Sequence, residues 1–285
     1  MCGIAGLFAR EAHAQVDRDL LVRMRDRMVH RGPDGAGLWC DDGIGLAHRR
    51  LSVIDVEGSP QPMHSPDGRA AIVFNGEIYN YRALRSELAG LGHAFRTEGD
   101  TEVILAAWRQ WGADCLARFD GMFAFALYDR ERRQLFLARD RFGVKPLFTA
   151  LLPDGTFAFA SELKGLLAHP ALDRTIDSLA IEDYFAWGYV PDHRSMLAGV
   201  DKLPAGHYRI VEHGKPLVRH QFRAARDDVG GGRGRGAAGA ACRCGRLAHG
   251  QRRADRRVPL RRGRQFRRGR ADGRSREPAG HHLLD

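Results

Sequence analysis

The sequence predicts an α+β fold class: stacked antiparallel sheets flanked by helices, followed by a tail that stays outside the core. Three observations support this. Short β-rich runs fall in groups between helical stretches, the regular alternation of a doubly wound parallel sheet is missing, and 44% hydrophobic content suffices for a core. In chain order, the apolar run over residues 3–8 predicts a buried strand, and apolar positions at helical spacing predict a helix over 19–29. Strands are predicted over 44–48 and 71–74, a helix over 81–89, and a helix over 101–111 with Asp100 or Thr101 placed to cap it. Strands over 122–128 and 134–138 follow, then a hairpin of 147–151 with 156–160 around Pro153-Asp154-Gly155. Helices over 162–168 and 178–187 come last in the folded part, which is expected to span residues 1–223.

The remainder, residues 224–285, has a different texture. Residues 226–285 contain 17 arginines, no lysine, 12 glycines, 6 acidic residues and one aromatic, Phe266, without helical or strand period. Such a segment cannot bury a core and is predicted to be disordered. Its net charge is +11, whereas the residues before it hold 28 basic and 29 acidic side chains, so the +10 of the chain resides in this tail. The folded part therefore has no charge excess that would suit nucleic acid or an anionic membrane. The five cysteines, Cys2, Cys40, Cys115, Cys242 and Cys244, form no even disulfide framework. There is also no signal peptide and no apolar span of about 18 residues, so a cytoplasmic setting without a membrane partner is expected.

Cys2 opens the first predicted strand. Once Met1 is removed, as the small Cys side chain favours, Cys2 carries both a thiol and a free α-amine whose ordinary pKa of about 8 suits a general base. One residue then supplies nucleophile and base for attack on a carboxamide, with water hydrolysing the resulting thioester. Taken alone, a cysteine near a chain start is equally an ordinary small buried side chain.

Four motifs in one order decide between these readings: Met1-Cys2-Gly3-Ile4-Ala5-Gly6, His30-Arg31-Gly32-Pro33-Asp34-Gly35, Leu46-Ala47-His48-Arg49-Arg50-Leu51-Ser52-Val53-Ile54-Asp55, and Phe74-Asn75-Gly76-Glu77-Ile78-Tyr79-Asn80. Together they resemble the class II glutamine amidotransferases, most of all the asparagine synthetase branch. Phe119-Asp120-Gly121-Met122-Phe123-Ala124-Phe125, Ala138-Arg139-Asp140-Arg141-Phe142-Gly143-Val144-Lys145-Pro146-Leu147 and Ser161-Glu162-Leu163-Lys164 extend the likeness over residues 1–223. The resemblance implies an N-terminal-nucleophile fold, a four-layer α/β/β/α sandwich of two antiparallel sheets. It also implies glutamine hydrolysis without a cofactor.

Carried over residue by residue, Cys2 is the expected nucleophile, and Asn75 with Gly76 the expected oxyanion hole. Arg50 is expected to grip the α-carboxylate of glutamine, with Leu51, Val53 and Ile54 beside it. Glu77 is expected to help bind the substrate and Asp100 to pair with the α-ammonium, Asp100 having the alternative role of helix cap. Arg49 is read as a solvated or interface charge, and residues 31–34 as a loop over the pocket. His30, His48 and His64 lack metal-ligand spacing, and Trp108 and Trp111 are read as helix packing.

In the family, ammonia passes to a second domain that activates a carboxylate, usually that of aspartate, with ATP and Mg²⁺. Its Ser-Gly-Gly-x-Asp-Ser loop is missing from this sequence. For the tail, the sequence leaves three readings. A frame change in a GC-rich gene is favoured, since residues 264–274 can be back-translated into codons that resemble that loop one base over. The others are truncation and an Arg/Gly nucleic-acid arm, to which the lack of interleaved aromatics is opposed. Cys242 and Cys244, one residue apart, lack structural-zinc spacing. An acceptor other than aspartate, in a surface-polysaccharide or protein-sorting setting, an inactive remnant, and a homodimer also stay open.

Overall fold

The computed structural model describes residues 1–9, 11, 13–52, 55 and 58–223. The expected tail with Cys242 and Cys244, and the expected contacts Val53 and Ile54, lie outside the described residues. The strands are β1 (Gly3–Phe8), β2 (Gly35–Asp41), β3 (Ile44–Arg50), β4 (Met63–His64), β5 (Ala70–Ile78), β6 (Gly121–Asp129), β7 (Gln134–Arg139), β8 (Phe148–Leu151), β9 (Phe157–Ala160), β10 (Val200–Lys202), β11 (His207–Glu212) and β12 (Val218–Gln221). The helices are α1 (Arg18–Asp26), α2 (Tyr81–Gly90), α3 (Asp100–Trp111), α4 (Cys115–Arg118), α5 (Leu163–Leu166) and α6 (Ser178–Trp187).

Alternation along the strands builds the layers, because successive side chains point to opposite faces. In β5, β6 and β7, Ile72, Phe74, Phe123, Phe125, Leu127 and Phe136 join a core with α2 and α3, through Leu84, Leu88, Val103 and Ile104. The intervening Ala71, Val73, Ala124, Ala126, Leu135 and Leu137 face the other way, into a second core with Ile4, Phe8, Ile44, Leu46, Phe157 and Phe159. Behind those strands, Ala5, Leu7, Ala47, Ala158 and Ala160 pack on Leu20, Leu21 and Met24 of α1 and Leu166 of α5. Three cores thus separate four layers, α/β/β/α. One sheet has the order β10-β8-β9-β1-β3-β2 and the other β12-β11-β7-β6-β5-β4. Neighbouring strands pair antiparallel, with Ala5 opposite both Ala47 and Ala160.

Several predicted elements are corrected. β2 was not among the predicted strands, since Gly35 and Gly37 weaken a strand pattern. Yet a Cβ on Gly37 would come within 1.7 Å of the Gln61 carbonyl oxygen, so close backbone approach selects glycine there. β10, β11 and β12 were not predicted; β12 is exposed throughout and β10 has 3 residues, so neither carries a periodic apolar signal. The N-cap of α3 is Gly99, without a side-chain cap bond. Asp100 and Thr101 stand inside the helix, and Asp100 Oδ2 accepts instead from the Ile78 N–H at 3.0 Å. The 147–160 hairpin forms as predicted, with Leu151 opposite Phe157.

The turn after β7 is built by two buried charged residues. The fully buried Asp140 carboxylate accepts from the N–H groups of Phe142 and Val144 through Oδ1, and of Phe123 and Lys145 through Oδ2. Arg139 donates to the carbonyls of Lys145 (2.8 Å), Leu203 (2.7 Å) and Gly143 (2.6 Å), which ties this turn to the end of β10. Arg139→Met should therefore destabilise the fold by about 3–5 kcal/mol, because three buried carbonyls lose their donor. Chemical denaturation of the two proteins, read by Trp fluorescence, checks this; a loss below about 1 kcal/mol would show that the carbonyls find other donors.

Candidate active site

A pocket of about 190 Å³ opens at one end of the space between the sheets. Cys2, Arg50, Leu51, Asn75, Gly76, Glu77 and Asp100 line it, together with Met1 and Lys145. Strand parity explains the convergence. Cys2 shares its face with Ile4 and Phe8, and Asn75 and Glu77 share theirs with Ala71 and Val73, all directed between the sheets. The same rule separates the two arginines at the end of β3. Arg50 has the parity of Leu46 and reaches the pocket, whereas Arg49 turns to the α1 side and pairs with Asp26 at 2.6 Å. Arg49 is thus half of a partly buried ion pair rather than a fully solvated charge.

Cys2 is held from behind. Arg31 Nε donates to the Cys2 carbonyl at 2.8 Å, and Arg31 Nη1 donates to Glu162 at 2.8 Å. Burial works against ionisation of Glu162, but the bonds from Arg31, His30 and Lys164 hold its carboxyl at about 2. Ser161 Oγ accepts from the Ile4 N–H at 3.0 Å. Residues 31–34 therefore brace β1 and β3 rather than cover the pocket; Asp34 accepts from the Ser52 N–H at 2.8 Å. The Cys2 Sγ lies 3.4 Å from the Leu51 nitrogen. Burial pushes the Cys2 thiol up, against the Leu51 bond and the positive charges of the N-terminus, Arg50 and Arg31. A raised thiol needs a base to become a nucleophile.

Two donors line the same pocket. Asn75 is 1% exposed, and its Nδ2 is buried without a hydrogen-bond partner. Along the edge of β5 turned away from β6, the Phe74 N–H donates to Gln61 Oε1 at 2.6 Å and the Ile78 N–H to Asp100. The Gly76 N–H lies between them on that edge, facing the pocket. A Cβ on Gly76 would come within 2.3 Å of the Met122 carbonyl oxygen, so only glycine fits against β6. A buried amide donor left unpaired is costly and suits a site built to receive an oxygen.

The far side of the pocket carries charge. Arg50 Nη2 donates to the Asp55 carbonyl at 2.7 Å, and Asp55 has a left-handed backbone with φ of 49°. The Asp55 carboxylate accepts from the Gly58 and Glu98 N–H groups and from Ser59 Oγ. Asp55 thereby joins the segment behind Arg50 to the one that leads into Asp100. Asp100 is 5% exposed; burial, with Glu77 nearby, raises its carboxyl to about 6 against its backbone bonds.

His48 is neutral: burial lowers it to about 4, and its Nε2 donates to the Phe74 carbonyl at 3.2 Å, tying β3 to β5 next to Asn75. Among the described residues no three His, Cys, Asp or Glu side chains are grouped to hold a metal, and no helix is long and apolar enough to cross a membrane. Trp108 packs in the core, donating to Asp129 at 3.0 Å. Lys145, Ser59, Gln61, Thr101 and Met122 line the pocket without having been assigned to it from the sequence. Lys145 and Met122 lie in quoted motifs, so the signal was present but unassigned.

A family model described as a glutamine amidotransferase domain matches residues 1–222. The chain belongs to this family. It is an enzyme domain of the glutamine amidotransferase type, and glutamine is its substrate. It is 39% identical over 227 residues to a glutamine-hydrolyzing asparagine synthetase of Bacillus subtilis, covering 79% of this chain and 36% of the relative. It is 40% identical over 166 residues to one of Arabidopsis thaliana, covering 58% and 28%. The chain thus spans about a third of the length of these relatives. Among solved structures, the allosteric regulatory enzyme of purine biosynthesis aligns with a TM-score of 0.58 at 18% identity, over 77% of this chain and 49% of that one. The glutamine phosphoribosylpyrophosphate amidotransferase of B. subtilis aligns at 0.53, with the same identity and coverage. Both share the N-terminal-nucleophile fold.

Proposed function

We propose that residues 1–223 form a glutaminase in which Cys2, freed by removal of Met1, releases ammonia from glutamine. The observation that carries this is the unpaired, buried Asn75 amide in the pocket that Cys2 also lines. Met1 lines that pocket, so its removal both exposes the Cys2 amine and vacates space for a substrate. Arg50 receives the α-carboxylate, while Asp100 and Glu77 receive the α-ammonium, which fixes the γ-carboxamide between sulfur and donors. The Cys2 amine takes the thiol proton as the sulfur bonds to the carbonyl carbon, and Asn75 Nδ2 and the Gly76 N–H hold the oxyanion. The C–N bond breaks as that proton passes to nitrogen, ammonia leaves, and water cleaves the glutamyl thioester to glutamate.

The ammonia serves ATP-dependent amidation of aspartate in the reading favoured by the relatives' names, with another carboxylate as the alternative acceptor. Among the described residues no three carboxylates are grouped to hold Mg²⁺, and the sequence lacks the Ser-Gly-Gly-x-Asp-Ser loop, so the residues present do not fit ATP and Mg²⁺. That half-reaction belongs to a domain outside the glutaminase. Ammonia and glutamate formation from glutamine, in the absence of ATP and aspartate, tests the proposal. Equimolar products support it, and no turnover by protein verified to begin at Cys2 contradicts it.

Two expectations follow from the charged side of the pocket. Because burial favours the neutral acid, the Asp100 carboxylate is lost as pH falls through about 6, and kcat/KM for glutamine should drop about tenfold per pH unit below that point. A pH profile that stays flat to pH 5 would exclude Asp100 from ammonium binding. Asp55→Ala should raise KM about 5–10-fold and leave kcat nearly unchanged, since Asp55 holds Arg50 and the segment before Asp100 but touches no reacting atom. Steady-state kinetics separates the two constants.

A further inference from the structure

Lys145 lies in the turn between β7 and β8 and lines the Cys2 pocket, yet glutamine capture as derived above gives it no role. The residue is only 5% exposed. Among the described residues no carboxylate forms an ion pair with its ammonium. Its ammonium is open to the pocket rather than sealed in the protein, so its position there needs a reason. The turn does not supply one, because it is built from the Lys145 backbone: its N–H donates to Asp140 Oδ2 at 3.0 Å and its carbonyl accepts from Arg139 Nε at 2.8 Å.

The charged groups around this ammonium come from every element at the mouth of the pocket. They are Arg31 after α1, Arg50 at the end of β3, Glu77 of β5, Asp100 of α3, Asp140 of its own turn, and Cys2 at the head of β1. Burial and Arg31 disfavour the charged form of Lys145, while Asp140, Cys2 and Glu77 favour it. A cation favoured by a thiolate favours that thiolate in turn, here in addition to the stronger influence of the N-terminus, Arg50 and Arg31.

We propose that Lys145 is a positioning charge for the nucleophile, its ammonium stabilising the Cys2 thiolate and keeping the Cys2 α-amine in its neutral, basic form. A fixed positive charge lowers the pKa of both groups, which offsets the burial that raises the thiol. The inference rests on Cys2 being the nucleophile proposed above, but its test needs no turnover and so fails separately.

The test is the rate of Cys2 alkylation by iodoacetamide against pH, in protein beginning at Cys2, with Cys2 followed by peptide mass spectrometry so that Cys40 and Cys115 do not interfere. Wild type, Lys145→Met and Lys145→Arg are compared. The Met variant should shift the midpoint upward by about one pH unit and slow labelling about tenfold near neutrality, and the Arg variant should restore most of the rate. Lys145→Gln replaces the Met variant if thermal unfolding shows the latter to be misfolded. A neutral variant whose profile superimposes on wild type, or an Arg variant as slow as the neutral one, would overturn the proposal.

Discussion

Cys2→Ala is expected to lower glutamine hydrolysis by at least about 10³-fold, while glutamine binding and the fold persist. Among the described residues that line the pocket, the Cys2 sulfur is the most nucleophilic group, and the proposed site for the carbonyl lies with Asn75 and Gly76. No other described cysteine can substitute: Cys115 is buried in the core between β5, β6 and the α2–α3 layer, and Cys40 packs on the α1 side of the other sheet. The fold has little to lose, because among the described residues the Cys2 sulfur hydrogen-bonds only with the Leu51 backbone, and the bond from the Arg31 side chain to the Cys2 carbonyl survives the substitution. Ammonia release measured beside calorimetric binding of glutamine checks both halves. Residual rates equal to wild type would remove Cys2 from the chemistry.

Asn75→Ala should reduce kcat by about 10²–10³-fold with KM little changed, a loss of roughly 2.7–4 kcal/mol of transition-state stabilisation. The split between the constants follows from timing, since the amide meets an oxyanion that exists only after the sulfur has attacked. Stability should move the other way or not at all. Asn75 Nδ2 is a buried donor without a partner, and removing such a group spares its desolvation cost. A variant that is slower yet at least as stable would mark Asn75 as kept for function. A variant that loses stability while retaining kcat would mark it as a structural residue of β5.

Much of this site was legible in the sequence, for reasons that differ by residue. Cys2, Arg50, Leu51, Asn75, Gly76, Glu77 and Asp100 were expected in one site and share one pocket, because all but Asp100 sit in motifs whose order along the chain is specific. The choice of Arg50 over Arg49 came from resemblance, and strand parity now supplies its physical ground. What stayed hidden was what distant segments bring together. Gln61 and Ser59 reach the pocket through a loop without periodicity, and the Asp55 hub depends on a left-handed backbone that no pattern of residue types announces. The layered fold was legible where alternation is strong, as in β5 to β7. It was lost at the glycine-interrupted β2 and at β10 and β12, which bury too little to leave a periodic trace. Asp100 as a cap was a local reading that a tertiary bond to Ile78 overrode.

The central claim is that the bond to the substrate forms on an N-terminal cysteine. Rapid acid quenching of the enzyme during glutamine turnover, followed by peptide mass spectrometry, tests it directly. A glutamyl thioester on a peptide that begins at Cys2 with a free amine is the predicted result. Turnover with the adduct on another residue, or with Met1 still attached to the modified peptide, would contradict it.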